Sequence, residues 1–145
     1  MNLLLEFSSV TVSFFVHSTE DEARLLETVR VRLDIQEEEM SKEKILGYFG
    51  NEIVSVKAHV LGRRAQAVSD LIFRSLSKTA RSLLLSEMER SLDEHDSLYL
   101  RLDRQSLSDP EISLSDEEPI RVKLKPKSRF GGRSSMKKQY EDLIA

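Results

Sequence analysis

Residues 43–62 read EKILGYFGNEIVSVKAHVLG, and the fold turns on how they are parsed. Gly50–Asn51 stands between two runs, EKILGYF and EIVSVKAHVLG; both residues tolerate positive φ, so the pair signals a hairpin turn. In the second run Val54, Val56, Ala58 and Val60 recur at every second residue, the period of a strand with one buried face. So short a connection favours antiparallel pairing. Gly47 is placed to bend or bulge the first strand. Alternation sets Tyr48 and Phe49 on opposite faces, Phe49 toward the core and Tyr48 toward solvent, where its ring can be offered to a nucleobase. The letters GYFG also suggest a stacking motif of the ribonucleoprotein type. Such a motif needs a basic residue before the glycine and further aromatics downstream, and Leu46 and Glu52–Ile53 occupy those places.

The two-residue period recurs in three other segments. In VTVSFFVH (10–17), Val10, Val12, Phe14 and Val16 share a face, and residues 2–7 can extend the strand past Ser8–Ser9. SLYLRLDRQ (97–105) turns Leu98, Leu100 and Leu102 inward and Tyr99, Arg101 and Asp103 outward. PIRVKLKPK (119–127) turns Ile120, Val122 and Leu124 inward and Arg121, Lys123 and Lys125 outward.

Helical spacing fills the intervals. Residues 18–33 carry a stripe of Leu25, Leu26, Val29 and Leu33, with Ser18 or Thr19 as cap and Thr19–Glu22 at capping-box distance. Residues 63–78 place Ala65, Val68, Leu71, Ile72 and Leu76 on one side; Thr79 can then cap 80–92, with Leu83, Leu84, Met88 and Leu92 inward. Residues 134–145 form a short closing helix with Met136, Tyr140, Leu143 and Ile144 on one side. The acidic DIQEEEM (34–40) and LSDPEISLSDEEP (107–119) read as surface loops, and about 126–135 as a flexible basic segment. The order β-α-β-β-α-α-β-β-α predicts an α+β fold: a mostly antiparallel sheet of about five strands with helices packed on one face. A length of 145 residues suits one domain spanning 1–145.

Composition narrows the function classes. With no cysteine there is neither a thiolate metal site nor a cysteine nucleophile. The start, MNLLLEFSSV, lacks a basic lead and is interrupted by Glu6, and no apolar run approaches a membrane span, so a soluble cytoplasmic protein without membrane contact is expected. His17, His59 and His95 lie on or beside separate elements, with no metal-binding spacing. No phosphate loop or nucleophile elbow occurs. The expectation is a non-enzyme with no cofactor and no metal.

The net charge of −3 hides a strong asymmetry. Residues 119–138 carry eight basic side chains and no acid, whereas 1–118 are strongly acidic. Arg121, Lys123 and Lys125 alternate along one strand, so they point to one face about 7 Å apart. Lys127, Arg129, Arg133, Lys137 and Lys138 continue the positive field. Such a row can neutralise successive phosphates, and Tyr99 and Arg101 join it if the last two strands pair. Phe15 and His17 can join from the first strand. Arg101, Arg121, Lys123, Lys125, Lys127, Arg129, Tyr99 and Tyr48 are therefore the candidate RNA-binding residues. The competing reading is a protein-interaction module whose basic strand docks an acidic partner subunit. Self-assembly, as a dimer for example, through a sheet edge is a third.

Four segments in this order and spacing, VHSTEDEARLLETV, GYFGNEIV, LYLRLDRQ and IRVKLKPK, resemble an archaeal family of small proteins described as predicted RNA-binding or exosome-associated subunits. The similarity runs from about residue 7 to 144. The matching positions are His17, Thr19, Glu20 and Asp21, then Gly47, Gly50 and Asn51. Arg101, Asp103, Arg104 and Gln105 follow, and finally Lys123, Lys125 and Pro126. The resemblance implies a fold like that of the ribosomal protein that contacts the small RNA of the large subunit. It also implies no enzymatic activity, and a role in RNA processing or translation beside protein partners. SRFGGRSS (128–135) departs from the family, whose members carry proline and basic residues there.

Overall fold

The computed structural model describes residues 5–129 and 131–145. Five strands, β1 (Phe7–His17), β2 (Met40–Leu46), β3 (Glu52–Leu61), β4 (Leu98–Leu102) and β5 (Ile120–Pro126), form one antiparallel sheet in the order β2-β3-β1-β5-β4. Five helices complete the fold: α1 (Glu22–Leu33), α2 (Gly62–Ser75), α3 (Lys78–Ser86), α4 (Met88–Ser91) and α5 (Gly132–Ile144). The α+β expectation holds, and the element order matches except that the helix expected over 80–92 is divided into α3 and α4. The inward residues of the four inner-packed strands, from Val10 and Val56 to Leu100 and Val122, are buried in one cluster with Val29 and Leu33 of α1, Val68 and Ile72 of α2, and Met136 and Tyr140 of α5. A sheet covered on one face leaves the alternate residues on the other face in solvent.

β1 shows how the chain keeps its apolar phase. Val10 to Val16 fill even positions, yet Phe7 is also buried, stacked 5.9 Å from Phe73 and 6.1 Å from Tyr140. The pairing with β5 slips by one residue between Phe7 and Ser9, so Ser8 forms a bulge that turns Phe7 inward. The proposed extension past Ser8–Ser9 thus reaches Phe7; residues 2–4 lie outside the described residues, as does Phe130 in the basic segment.

Several local expectations are corrected. Helix α1 is capped by Asp21, which accepts the Arg24 N–H at 3.2 Å, rather than by Ser18 or Thr19. The reason is Glu20: its carboxylate accepts the His17 N–H at 3.0 Å, and both its oxygens accept from Arg104 Nη1, at 2.9 and 3.1 Å, which holds residues 17–20 in a turn. Ser77, not Thr79, caps α3, accepting from Ala80 N–H at 3.0 Å. The helix expected over 80–92 breaks at Glu87, and Leu83 is left exposed. The segment 107–119 contributes Leu107 and Ile112 to the core, because Ile112 exchanges backbone hydrogen bonds with Ser75 and Ser77. Phe49, expected in the core, is 90% exposed: β2 ends at Leu46, so alternation no longer governs it.

The chain after β5 is anchored by one carboxylate. Asp96 has a side chain 1% exposed, and it accepts Arg129 Nε at 2.8 Å and Arg133 Nη1 at 2.6 Å. The Tyr140 hydroxyl donates to the Asp96 carbonyl at 2.6 Å. Burial raises the Asp96 carboxyl, but the hydrogen bonds and charges of Arg133 and Arg129 outweigh it and hold the group below its ordinary value. Burial first, then the Asp96 and Asp93 charges, pushes the Tyr140 phenol up, so it remains a donor.

Candidate nucleic-acid interface

The open face is organised in cross-strand rows set by register. One runs Arg101–Arg121–Ser13–Lys57–Ser41 and crosses all five strands, about 19 Å at normal strand spacing. The next runs Tyr99–Lys123–Thr11–His59, and the third Lys125–Ser9–Leu61. Among the strand residues of the open face Glu43 on β2 is the one acid, while Asp93, Asp116 and Glu118 reach Tyr99, Arg101 and His17 from the loops around it. Lys57, Arg121, Lys123 and Lys125 have no ion-pair partner among the described residues. Arg101 and Arg121 are directly opposite each other, an arrangement that opposes pairing. Asp116, 3.1 Å from Arg101, offsets part of this, though both side chains are largely in water.

Tyr99 is fixed at one end of the second row. Its hydroxyl donates to Asp93 at 3.1 Å, and Lys123 Nζ stands 5.6 Å from its ring centroid. Burial raises the Asp93 carboxyl, but N–H donors from Ser97 and His95, the Tyr99 hydroxyl and the Lys123 charge keep it below its usual value. The acid therefore stays ionised as an anchor. His59 shares a 3.0 Å hydrogen bond with Thr11 in the same row.

The predicted residues divide into three groups. Arg101, Arg121, Lys123, Lys125 and Tyr99 come together on adjoining strands β4 and β5. Lys127 lies beyond the strand end, exposed and 3.4 Å from Glu6. Arg129 is drawn away to Asp96, and Arg133 with it; Lys137 faces Glu89 at 3.6 Å. Acids thus meet every basic residue from Lys127 to Lys137, and only Lys138, exposed on α5, continues the positive field without an ion-pair partner among the described residues. Tyr48 sits on the β2–β3 hairpin, toward the opposite edge of the sheet. Lys57 and His59 were not among the predicted residues, although alternation against Val56, Ala58 and Val60 already turned them outward.

A family model described as RNA binding matches residues 9–126. The chain belongs to that RNA-binding family. At 29% identity over 133 residues, 86% of this chain and 84% of its relative, it is similar to the RNA-binding protein PAB1135 of Pyrococcus abyssi. It is similar also to the uncharacterized protein MJ0213 of Methanocaldococcus jannaschii, 26% identical over 120 residues covering 78% and 79% of the two chains. Among solved structures, protein AF2318 of Archaeoglobus fulgidus superposes with a TM-score of 0.76 at 27% identity, over 95% of this chain and 99% of that one.

Two of the segments that carry the family resemblance meet at one end of the sheet. Arg104, after β4, sets Nη1 between the two Glu20 carboxylate oxygens and also donates from Nη2 to the Phe15 carbonyl at 3.0 Å and from Nε to the Glu118 carbonyl at 2.9 Å. Burial raises Glu20, while the His17 N–H and Arg104 outweigh it and lower its carboxyl. His17 meets Glu118 at 2.7 Å. This cluster clamps β1 to the β4–β5 connection, and its acids line a cleft of about 860 Å³. The histidines remain apart, and no group of three His, Asp or Glu able to hold a metal occurs among the described residues. No helix among them is long and apolar enough to cross a membrane.

Proposed function

We propose that this chain binds RNA without catalysing a reaction, laying the phosphate backbone across the cationic rows of its open face. The observation that carries this is the Arg101–Arg121–Ser13–Lys57 row, in which two arginines oppose each other and Arg121 and Lys57 have no ion-pair partner among the described residues. A bound polyanion relieves that opposition, and its counterions are released as the phosphates are neutralised. The family membership supports the same reading. A place in RNA processing, beside exosome subunits, or in translation extends it on the resemblance alone.

Fluorescence anisotropy with labelled RNA across a salt series tests the proposal. With four to six phosphates contacted, log K should fall with log salt with a slope of about −3 to −5. No binding at 50 mM salt, or binding indifferent to salt, would remove the proposal. A pull-down on acidic protein that survives nuclease, with no RNA affinity, would instead favour a partner subunit docked on β5.

Arg121→Glu separates the surface's two roles. It places a carboxylate opposite Arg101, so thermal stability should rise slightly, by about 0.2–1 kcal/mol. RNA affinity should fall by about tenfold or more at 0.1 M salt. Calorimetry and anisotropy on the same preparation read both.

A further inference from the structure

Past the cationic rows the open face changes character. Phe15, 41% exposed, is followed by the row His17–Ile53–Ile45, and the hairpin then carries Tyr48 and Phe49 into solvent at 95% and 90% exposure. The two rings pack edge to face, centroids 5.0 Å apart and planes at 83°, which leaves π surface of each ring open. The turn that presents them is well braced. Gly47 N–H donates to Asn51 O at 2.6 Å and Gly50 N–H to Gly47 O at 2.9 Å. Gly50 has φ +79°, and a Cβ at Gly47 would meet Asn51 Oδ1 at 2.5 Å.

We infer that this hairpin tip stacks on unpaired bases of an RNA, beside the backbone held on the cationic rows. The inference rests on the function proposed above and names its substrate class: RNA with a single-stranded stretch next to the bound segment. Charge and area favour bases as the occupant. Lys42 and Lys44 are balanced by Glu43 and Glu52 along the hairpin, so the tip offers rings rather than charge. Two aromatic rings bury roughly 300–500 Å², well short of the roughly 800 Å² per partner of a stable protein interface. A base needs only one ring face, and between the hairpin tip and the Lys57 row stand only the open-face rows His17–Ile53–Ile45 and Phe15–Ser55–Glu43. Ile45 lies four residues beyond Ser41, about 13 Å along the strand, so one RNA segment can reach both.

The test compares Tyr48→Ala/Phe49→Ala with Lys123→Glu/Lys125→Glu on a blunt duplex and on the same duplex bearing a uridine overhang. Both tip residues are exposed, so circular dichroism of the first variant should match the wild type. The tip variant should lose about 10- to 100-fold on overhang RNA, less than twofold on the blunt duplex, and keep the wild-type salt slope. The lysine variant should lose affinity for both and flatten the slope. In addition, the fluorescence of a Phe49→Trp protein should be quenched by the overhang RNA and not by the duplex. If the tip variant binds both RNAs like the wild type, or if it only abolishes self-association seen by light scattering, the stacking inference fails while RNA binding stands. If neither RNA binds the wild type, the function itself fails.

Discussion

Changing Lys123 and Lys125 together to glutamate is expected to lower RNA affinity by about 100-fold or more at 0.1 M salt. Each lost duplex phosphate contact removes about a factor of eight at that salt, since the dependence is close to the 0.9 power of concentration per charge. Two contacts therefore account for roughly 60-fold, and the new carboxylates add repulsion. The salt slope should become shallower by about two units. The fold is expected to survive: Lys125 is exposed, and Lys123 gives up its position near the Tyr99 ring, worth about 0.5–1 kcal/mol. Lys123→Arg/Lys125→Arg should bind almost like the wild type. Undiminished affinity in the glutamate variant would exclude β5 as the contact.

Asp96→Ala should have the largest effect on stability, about 3 kcal/mol, because it leaves Arg129 and Arg133 beside a buried, empty acceptor site. For a chain of this size that lowers Tm by roughly 10 °C. Asp96 adopts φ +61°, a left-handed conformation that alanine tolerates less well than aspartate. Asp96→Asn keeps the conformation and one acceptor, so it should lose less. The pH dependence follows from the sign of the shift. The folded-state carboxyl lies below the ordinary aspartate value of about 3.9, so its stabilisation is complete above that pH and is lost as pH falls through the lowered value. The wild type should therefore show a steeper acid limb below about pH 4 than Asp96→Asn, read by urea melts at a series of pH values.

Four of the five strands were legible because each repeats an apolar residue at every second position, and the Gly50–Asn51 turn announced the hairpin that adds β2, which has no such period. Arg101, Arg121, Lys123 and Tyr99 could be grouped for the same reason: once β4 and β5 pair, alternation decides their face. What escaped depends on contacts distant in sequence or on interruptions of the period. The Ser8 bulge that redirects Phe7 leaves no periodic signal. Arg129 and Arg133 look like members of a basic run; their removal from it depends on Asp96, 33 and 37 residues earlier. Ile112 looked like a loop residue amid acids and Pro110, yet its backbone pairing with the end of α2 carries it into the core. Alternation along β3 turns Lys57 and His59 outward, but as isolated basic residues they carry far less charge signal than the basic block at 119–138.

The short turn between α4 and β4 works as a lever. Asp93 at its start grips Tyr99 on the outer face, whereas Asp96, three residues on, grips Arg129, Arg133 and Tyr140 in the body of the molecule. Prising α5 from its seat would release Asp96 and slacken the loop that orients Tyr99. The last helix, although it lies on the side of the sheet away from the cationic rows, thus has a mechanical hold on one end of them.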